Sequence, residues 1–250
     1  MADDLEVLER GDIFFFYRPR VEDDDPSGLG DVQHAGFVLR PRGGGKVRLM
    51  MLGRKTLPDL SGDGRDWGFV ETVAKSASEI EAGLRETTYE TKTRGTREQP
   101  AARPAGEGRY AVILKEGQLH LVHALEMPEE PGPVQKALKI APEAAYALSI
   151  KNPEKASPKG AGLPADEEAD YPKRLQEAFR GRRFDTEDLK LLDHEGAEFL
   201  LVGARSDPLK AYGLSLETEA ANYEHADSTR KMKMAKTRHP IEPLFEGTWA

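Results

Sequence analysis

The chain contains no cysteine. That absence excludes disulfide staples, thiolate nucleophiles and cysteine-ligated zinc sites, and it fits a reducing compartment. Histidine is also scarce, with six residues scattered over 250. No grouping of His, Asp, Glu or Ser along the sequence reads as a reaction centre, and no cofactor is expected. Long hydrophobic runs are missing too. A membrane-spanning helix needs roughly 20 apolar residues, so no membrane insertion is expected. The opening Met1-Ala2-Asp3-Asp4 is acidic and lacks the apolar stretch of a secretory signal, which makes the cytoplasm the expected location. The net charge of -8 argues against a general nucleic-acid coat protein. It leaves room for a local basic site, because a field depends on how charge is distributed.

What is present reads mainly as strands. Residues 13–17, Ile-Phe-Phe-Phe-Tyr, form an apolar run suited to a strand buried on both faces. Residues 35–40 and 47–52 are two more, joined through Gly43-Gly44-Gly45, whose freedom at positive φ suits a tight hairpin. Residues 67–73 make a fourth, and a short helix capped by Ser76 or Ser78 is expected to run to Arg85. Residues 110–115 and 118–125 form the clearest hairpin, with Glu116-Gly117 as its turn. Further strands are expected at 134–140, 146–150 and 197–204. Helices are expected at 171–179 and from 216 to about 236. Two strands leave through the same tripeptide, Arg18-Pro19-Arg20 and Arg40-Pro41-Arg42. Proline lacks the donor a ladder needs, so pairing should stop there, and the flanking arginines either hold an anion or are solvated charges at a strand end.

The pattern predicts an α+β protein. Its centre is an antiparallel β barrel or twisted sheet, with peripheral helices concentrated toward the C-terminus. Residues 1–151 read as a β-rich core domain. Residues 152–250 read as a mixed part packed on the same core, with an extended tail at 239–250.

Two basic segments stand out on this acidic chain. Residues 92–109 read as a long loop without a large apolar side chain. Within it Lys92, Arg94, Arg97, Arg103 and Arg109 offer donors to phosphate or carboxylate, and glycines let backbone N–H groups approach an anion. Residues 230–239 carry the second cluster, which also suits the C-terminal end of a helix dipole. The tail ends in Leu244, Phe245 and Trp249, apolar residues that must dock on this chain's core, on a second copy or on a partner. Other motifs fail. Asp59 to Gly64 matches the start of a calcium loop, but Val70 stands where the bidentate glutamate belongs. His120 and His123 are three apart on a strand and so point to opposite faces. Gly43 to Lys46 lacks P-loop spacing.

The run Arg10-Gly11-Asp12-Ile13-Phe14-Phe15-Phe16-Tyr17 is similar to a strand opening in PUA-like and EVE-type binders of RNA or modified bases. More broadly, Arg10 to Arg20 and Ser149-Ile150-Lys151-Asn152-Pro153-Glu154 resemble a family of bacterial proteins without an assigned activity. That resemblance implies a bacterial cytoplasmic origin and brings no catalytic residue with it. The function expected from the sequence is a non-enzymatic protein-interaction or assembly module that binds a protein partner or itself. The alternative is a nucleic-acid or nucleotide binder that uses the basic segment at 92–109.

Overall fold

A computed structural model of the chain describes residues 5–61, 64–91, 95–158, 161–218 and 226–250. In chain order the strands are β1 (Leu5–Pro19), β2 (Val32–Pro41), β3 (Val47–Leu52), β4 (Arg65–Ala74), β5 (Thr87–Thr91), β6 (Gly95–Gln99), β7 (Arg103–Lys115), β8 (Gln118–Met127), β9 (Glu143–Lys151), β10 (Phe184–Asp185) and β11 (Glu198–Arg205). The helices are short: α1 (Ala77–Leu84), α2 (Pro133–Leu138), α3 (Lys173–Gln176), α4 (Pro208–Tyr212), α5 (Asp227–Arg230) and α6 (Glu242–Phe245).

Eight strands close into an antiparallel barrel in the order β1-β2-β3-β4-β11-β9-β8-β7, with β7 returning to β1. Closure leaves no unpaired sheet edge among these eight. β5 and β6 form a separate hairpin, and β10 adds two residues to the end of β9. β11, from the later part of the chain, fills the gap between β4 and β9. The barrel therefore draws on both sides of residue 151.

Strand alternation explains the packing. Side chains two apart share a face, so Ile13, Phe15 and Tyr17 point into the barrel with Phe37, Val112, Leu121 and Phe199. Phe14 and Phe16 point outward and are equally buried. They lie in a second apolar cluster with Ile80 and Leu84 of α1 and with Met232 and Met234. A third cluster covers the outer face of β7, β8 and β9 with Leu209, Tyr212, Leu214 and Leu216, around α4. This double burial is why the run at 13–17 is apolar without alternation.

The expected Arg-Pro stops are observed, since β1 ends at Pro19 and β2 at Pro41. The turn after β2 uses Gly43, Gly44 and Gly45 at φ +82, +100 and +133°, values that L side chains rarely adopt. Three expectations are corrected. Residues 134–140 are not a strand but α2, because Pro133 sits in the first turn, Val134 and Leu138 share the buried face four residues apart, and Lys139 ends the helix at φ 59°. The segment 92–109 is not a long loop: its described residues enter the β5–β6 hairpin and β7. Between 216 and 236 the described helix is α5 alone, four residues long. The chain beyond it runs as turns that bury Met232 and Met234.

Candidate anion-binding cleft

The cleft forms where two connections meet at one end of the barrel. Arg40, Pro41 and Arg42 carry the chain out of β2 into the Gly43–Gly45 turn. Lys75 and Ser76 carry it out of β4 into α1. Lys231, just beyond α5, closes another side. Together they line a cleft of about 480 Å³. Among the described residues its charged lining side chains are Arg40, Arg42, Lys75 and Lys231, with no carboxylate among them. The first turn of α1 faces the same space. Ser76 does not cap it with its side chain; its hydroxyl bonds Glu79 Oε1 at 2.9 Å instead.

A buried carboxylate organises the cations. Asp12 projects from the outer face of β1, and its register partners are Arg40 on β2 and Arg109 on β7. It is fully buried. It accepts from Arg40 Nη1 at 2.7 Å, Arg42 Nε at 3.3 Å and Lys231 Nζ at 3.1 Å, and it pairs closely with Arg109. A second carboxylate, Asp227 on α5, meets Arg109 at 2.9 Å, Arg230 at 3.1 Å and also Lys231. Burial pushes the Asp227 carboxyl up, but bonds from Lys231 and Arg109 outweigh it and hold the pKa below the usual range. Burial likewise disfavours the Arg109 cation. Asp227, Glu126 and Asp12 outweigh that penalty and hold its pKa above the usual value. Glu107 on β7 accepts the backbone N–H of Asp227 at 2.8 Å and of Ser228 at 2.5 Å, which fixes α5 against the barrel.

The result is a row of cations pinned from behind and open in front. Asp12 takes one donor from each of Arg40, Arg42 and Lys231, whereas a guanidinium carries five and an ammonium three. Arg40 and Arg42 keep 36% and 42% of their side chains exposed, so their remaining donors reach solvent. A neighbouring cleft of about 280 Å³ shares Arg42 and adds Arg10, whose Nη1 bonds Ser215 O at 2.8 Å, but it also contains Glu217.

The arginines singled out from the sequence are dispersed. Arg97 lies on the β5–β6 hairpin, 3.0 Å from Glu22. Arg103 is buried and spends its donors on carbonyls, Ala250 O at 3.0 Å, Ala101 O at 2.5 Å and Asp24 O at 3.2 Å. Arg109 belongs to the Asp12 network behind the cleft. Arg103 and Arg109 are six residues apart on one strand, roughly 20 Å at strand rise. Lys92 and Arg94 lie outside the described residues, as do Gly62 and Asp63 of the calcium-like run. Among the described residues no cluster suits a metal ion, and Asp59 pairs with Lys139 at 2.7 Å.

The apolar tail docks on its own chain. Leu244 is fully buried with Met127 and Ala226, and Phe245 packs against the same group. Trp249 meets the ring of Tyr17 edge-on at 5.1 Å. In the basic segment 230–239 Met232, Met234 and His239 are buried, with His239 placed between Ala102 O at 2.8 Å and Glu81 at 3.2 Å, while Arg230, Lys233, Lys236 and Arg238 are exposed. His120 and His123 point to opposite faces as expected: His123 is buried against Phe15, and His120 lies outside against Tyr212.

Sequence reasoning noticed Arg40, Arg42 and the glycine turn but not the site they form with Lys75 and Lys231. Comparisons with protein-family models, with curated proteins and with solved structures returned no match.

Proposed function

We propose that this protein binds a phosphate-bearing ligand, a nucleotide or a nucleic-acid backbone, in the cleft formed by Arg40, Arg42, Lys75, Lys231 and the Gly43–Gly45 turn. The observation that carries the reading is a concave site whose described lining residues include four cations and no carboxylate, on a protein of net charge -8. Guanidinium groups suit phosphate because their donors are paired in a plane. Glycines at positive φ let backbone N–H groups approach such an anion closely. The cleft differs from the basic segment first suspected, whose described arginines are engaged elsewhere. The protein-interaction reading drew on an unsupported tail, and a tail packed on its own barrel gives it no further support. The likeness of residues 10–17 to PUA-like binders remains one of sequence.

A labelled single-stranded RNA oligonucleotide and a labelled nucleoside triphosphate, each followed by fluorescence anisotropy, test the proposal. The oligonucleotide should bind with a log–log salt slope of about -0.7 per phosphate contacted. Arg42→Ala and Lys75→Ala should each weaken binding roughly tenfold without changing sequence preference. Arg97→Ala should not. Binding of the triphosphate alone would assign a nucleotide site. Absence of both at low salt, or equal binding by the Arg42 and Lys75 variants, would overturn the proposal.

A further inference from the structure

The outer face of β1 to β4 carries another cleft, of about 200 Å³, closed on one side by α1. Strand register puts its side chains on one face. Arg18 follows the outward-facing Phe16 by two residues, and its register partner on β2 is His34. Gly36 pairs with Met51 and Val38 with Leu49, so both of those β3 side chains share that face. On β4, Leu49 pairs with Thr72 but Met50 pairs with Val70. Glu71 is therefore the extra residue of a β-bulge, which re-aims its side chain, and Glu71 and Thr72 both line the cleft. α1 adds Glu79 and Gly83, four residues apart, beside the buried Ile80 and Leu84.

The charges in this cleft are unpaired. Elsewhere the buried cations Arg48, Arg109 and Lys151 meet carboxylates at 2.7, 2.9 and 2.6 Å. Arg18 meets none within 4.0 Å among the described residues. Its Nη2 donates to Gly83 O at 3.2 Å and Arg85 O at 2.6 Å, carbonyls that neutralise no charge, and its Nε is buried without a partner. Burial accordingly holds the Arg18 pKa below its usual value, against the pull of Glu71. Of the two carboxylates, Glu79 accepts from the Ser76 hydroxyl at 2.9 Å. Glu71 has no hydrogen bond or ion pair among the described residues, and burial raises its pKa more than Arg18 lowers it. His34 is held below its ordinary pKa by burial, Arg18 and Lys55, so it adds no charge at neutral pH. A ligand that was only an anion would face Glu71 and Glu79. One that was only a cation would leave Arg18 uncovered. A ligand with both signs answers each group with its opposite.

We infer that this cleft binds a small zwitterion, an α-amino acid with an aliphatic side chain. Its carboxylate accepts from Arg18, whose planar donors match a carboxylate. Its ammonium donates to Glu71, and its side chain lies against Met51 and Leu84. The cleft is smaller than the roughly 300–1,000 Å³ of sites for drug-sized ligands, which suits a single amino acid. It shares no lining residue with the phosphate cleft, so either proposal can fail alone.

Isothermal titration of the full chain with L-leucine tests the inference. The comparators are 4-methylpentanoate, which lacks the ammonium, and 3-methylbutylamine, which lacks the carboxylate. Leucine should bind saturably at neutral pH, and each comparator should bind at least about tenfold more weakly, the loss of one charged contact. Glu71→Gln should weaken leucine about tenfold and leave 4-methylpentanoate unchanged, a split that a general loss of structure would not give. Arg18→Gln should weaken leucine and 4-methylpentanoate but spare 3-methylbutylamine. Arg18 also holds the end of α1, so if that variant does not fold, the exposed Glu71 carries the test. No saturable heat with leucine, equal affinity for leucine and either comparator, or leucine affinity unchanged by Glu71→Gln would overturn the inference.

Discussion

At the scale of single residues, the molecule spends its charges on itself. Lys151 illustrates the cost of disturbing that arrangement. With no exposed side-chain surface it neutralises Glu198 and Glu168 together. Lys151→Ala should cost about 3–5 kcal/mol, because two carboxylates are left facing each other out of water. Lys151→Met combined with Glu198→Gln should recover most of that, since the methionine fills the volume and one charge is gone. Chemical denaturation measures both, and a loss below about 1 kcal/mol for the alanine variant would show that the triad is dispensable. Asp12 is a similar case on a larger scale. Removing it would unpin Arg40, Arg42, Arg109 and Lys231 at once, so the phosphate cleft is better probed at Arg42 or Lys75.

At the scale of elements, the segment 226–250 behaves as a strap around the barrel. Glu107 holds α5, Met232 and Met234 fill the face shared with α1, and Leu244 of α6 is buried with Met127 and Ala226. The end of the strap covers Tyr17, whose hydroxyl bonds Ala250 O at 2.9 Å. Leu244→Ala should therefore destabilise the isolated chain by about 3 kcal/mol through a buried cavity. Equal urea midpoints for this variant and the parent would show that the tail is not part of the core. The elements also show where local reading succeeds. The β7–β8 hairpin was legible because Glu116 and Gly117 adopt φ 51 and 74°, the turn that joins alternating strands. α2 was missed because Val134 to Ile140 is apolar and β-branched at both ends. Over so few residues the helical and extended periods are hard to separate.

At the scale of the whole molecule, two buried groups at different places pull stability in opposite directions with pH. His123 inside the barrel has its pKa lowered to about 4 by burial. The unfolded chain binds that proton more readily, so stability falls as pH drops from about 6.5 to 4, by roughly 3 kcal/mol. Asp66 has its pKa raised to about 6 by burial, so the folded chain binds the proton more readily, and stability falls as pH rises from about 4 to 6 by a similar amount. The two contributions oppose each other over the same range. Asp66→Asn should raise the melting temperature at neutral pH and leave it nearly unchanged at about pH 4, unmasking the histidine slope. A melting temperature unchanged at neutral pH in this variant would remove Asp66 from that balance.

The sequence by itself determined the class of the fold. Apolar runs, glycine turns and proline stops act within a few residues of each other, through backbone φ, hydrogen-bond donors and the two-residue alternation of a strand. Only the tertiary structure decided the sites. Asp12 and Lys231 meet although they lie 219 residues apart, and this contact helps turn the arginines of one strand end into a cleft. Whether an arginine is spent on an internal carboxylate, like Arg109, or left to face solvent, like much of Arg42, depends on which strands become neighbours when the barrel closes. Coulombic pairing acts through space, so no spacing along the chain records it.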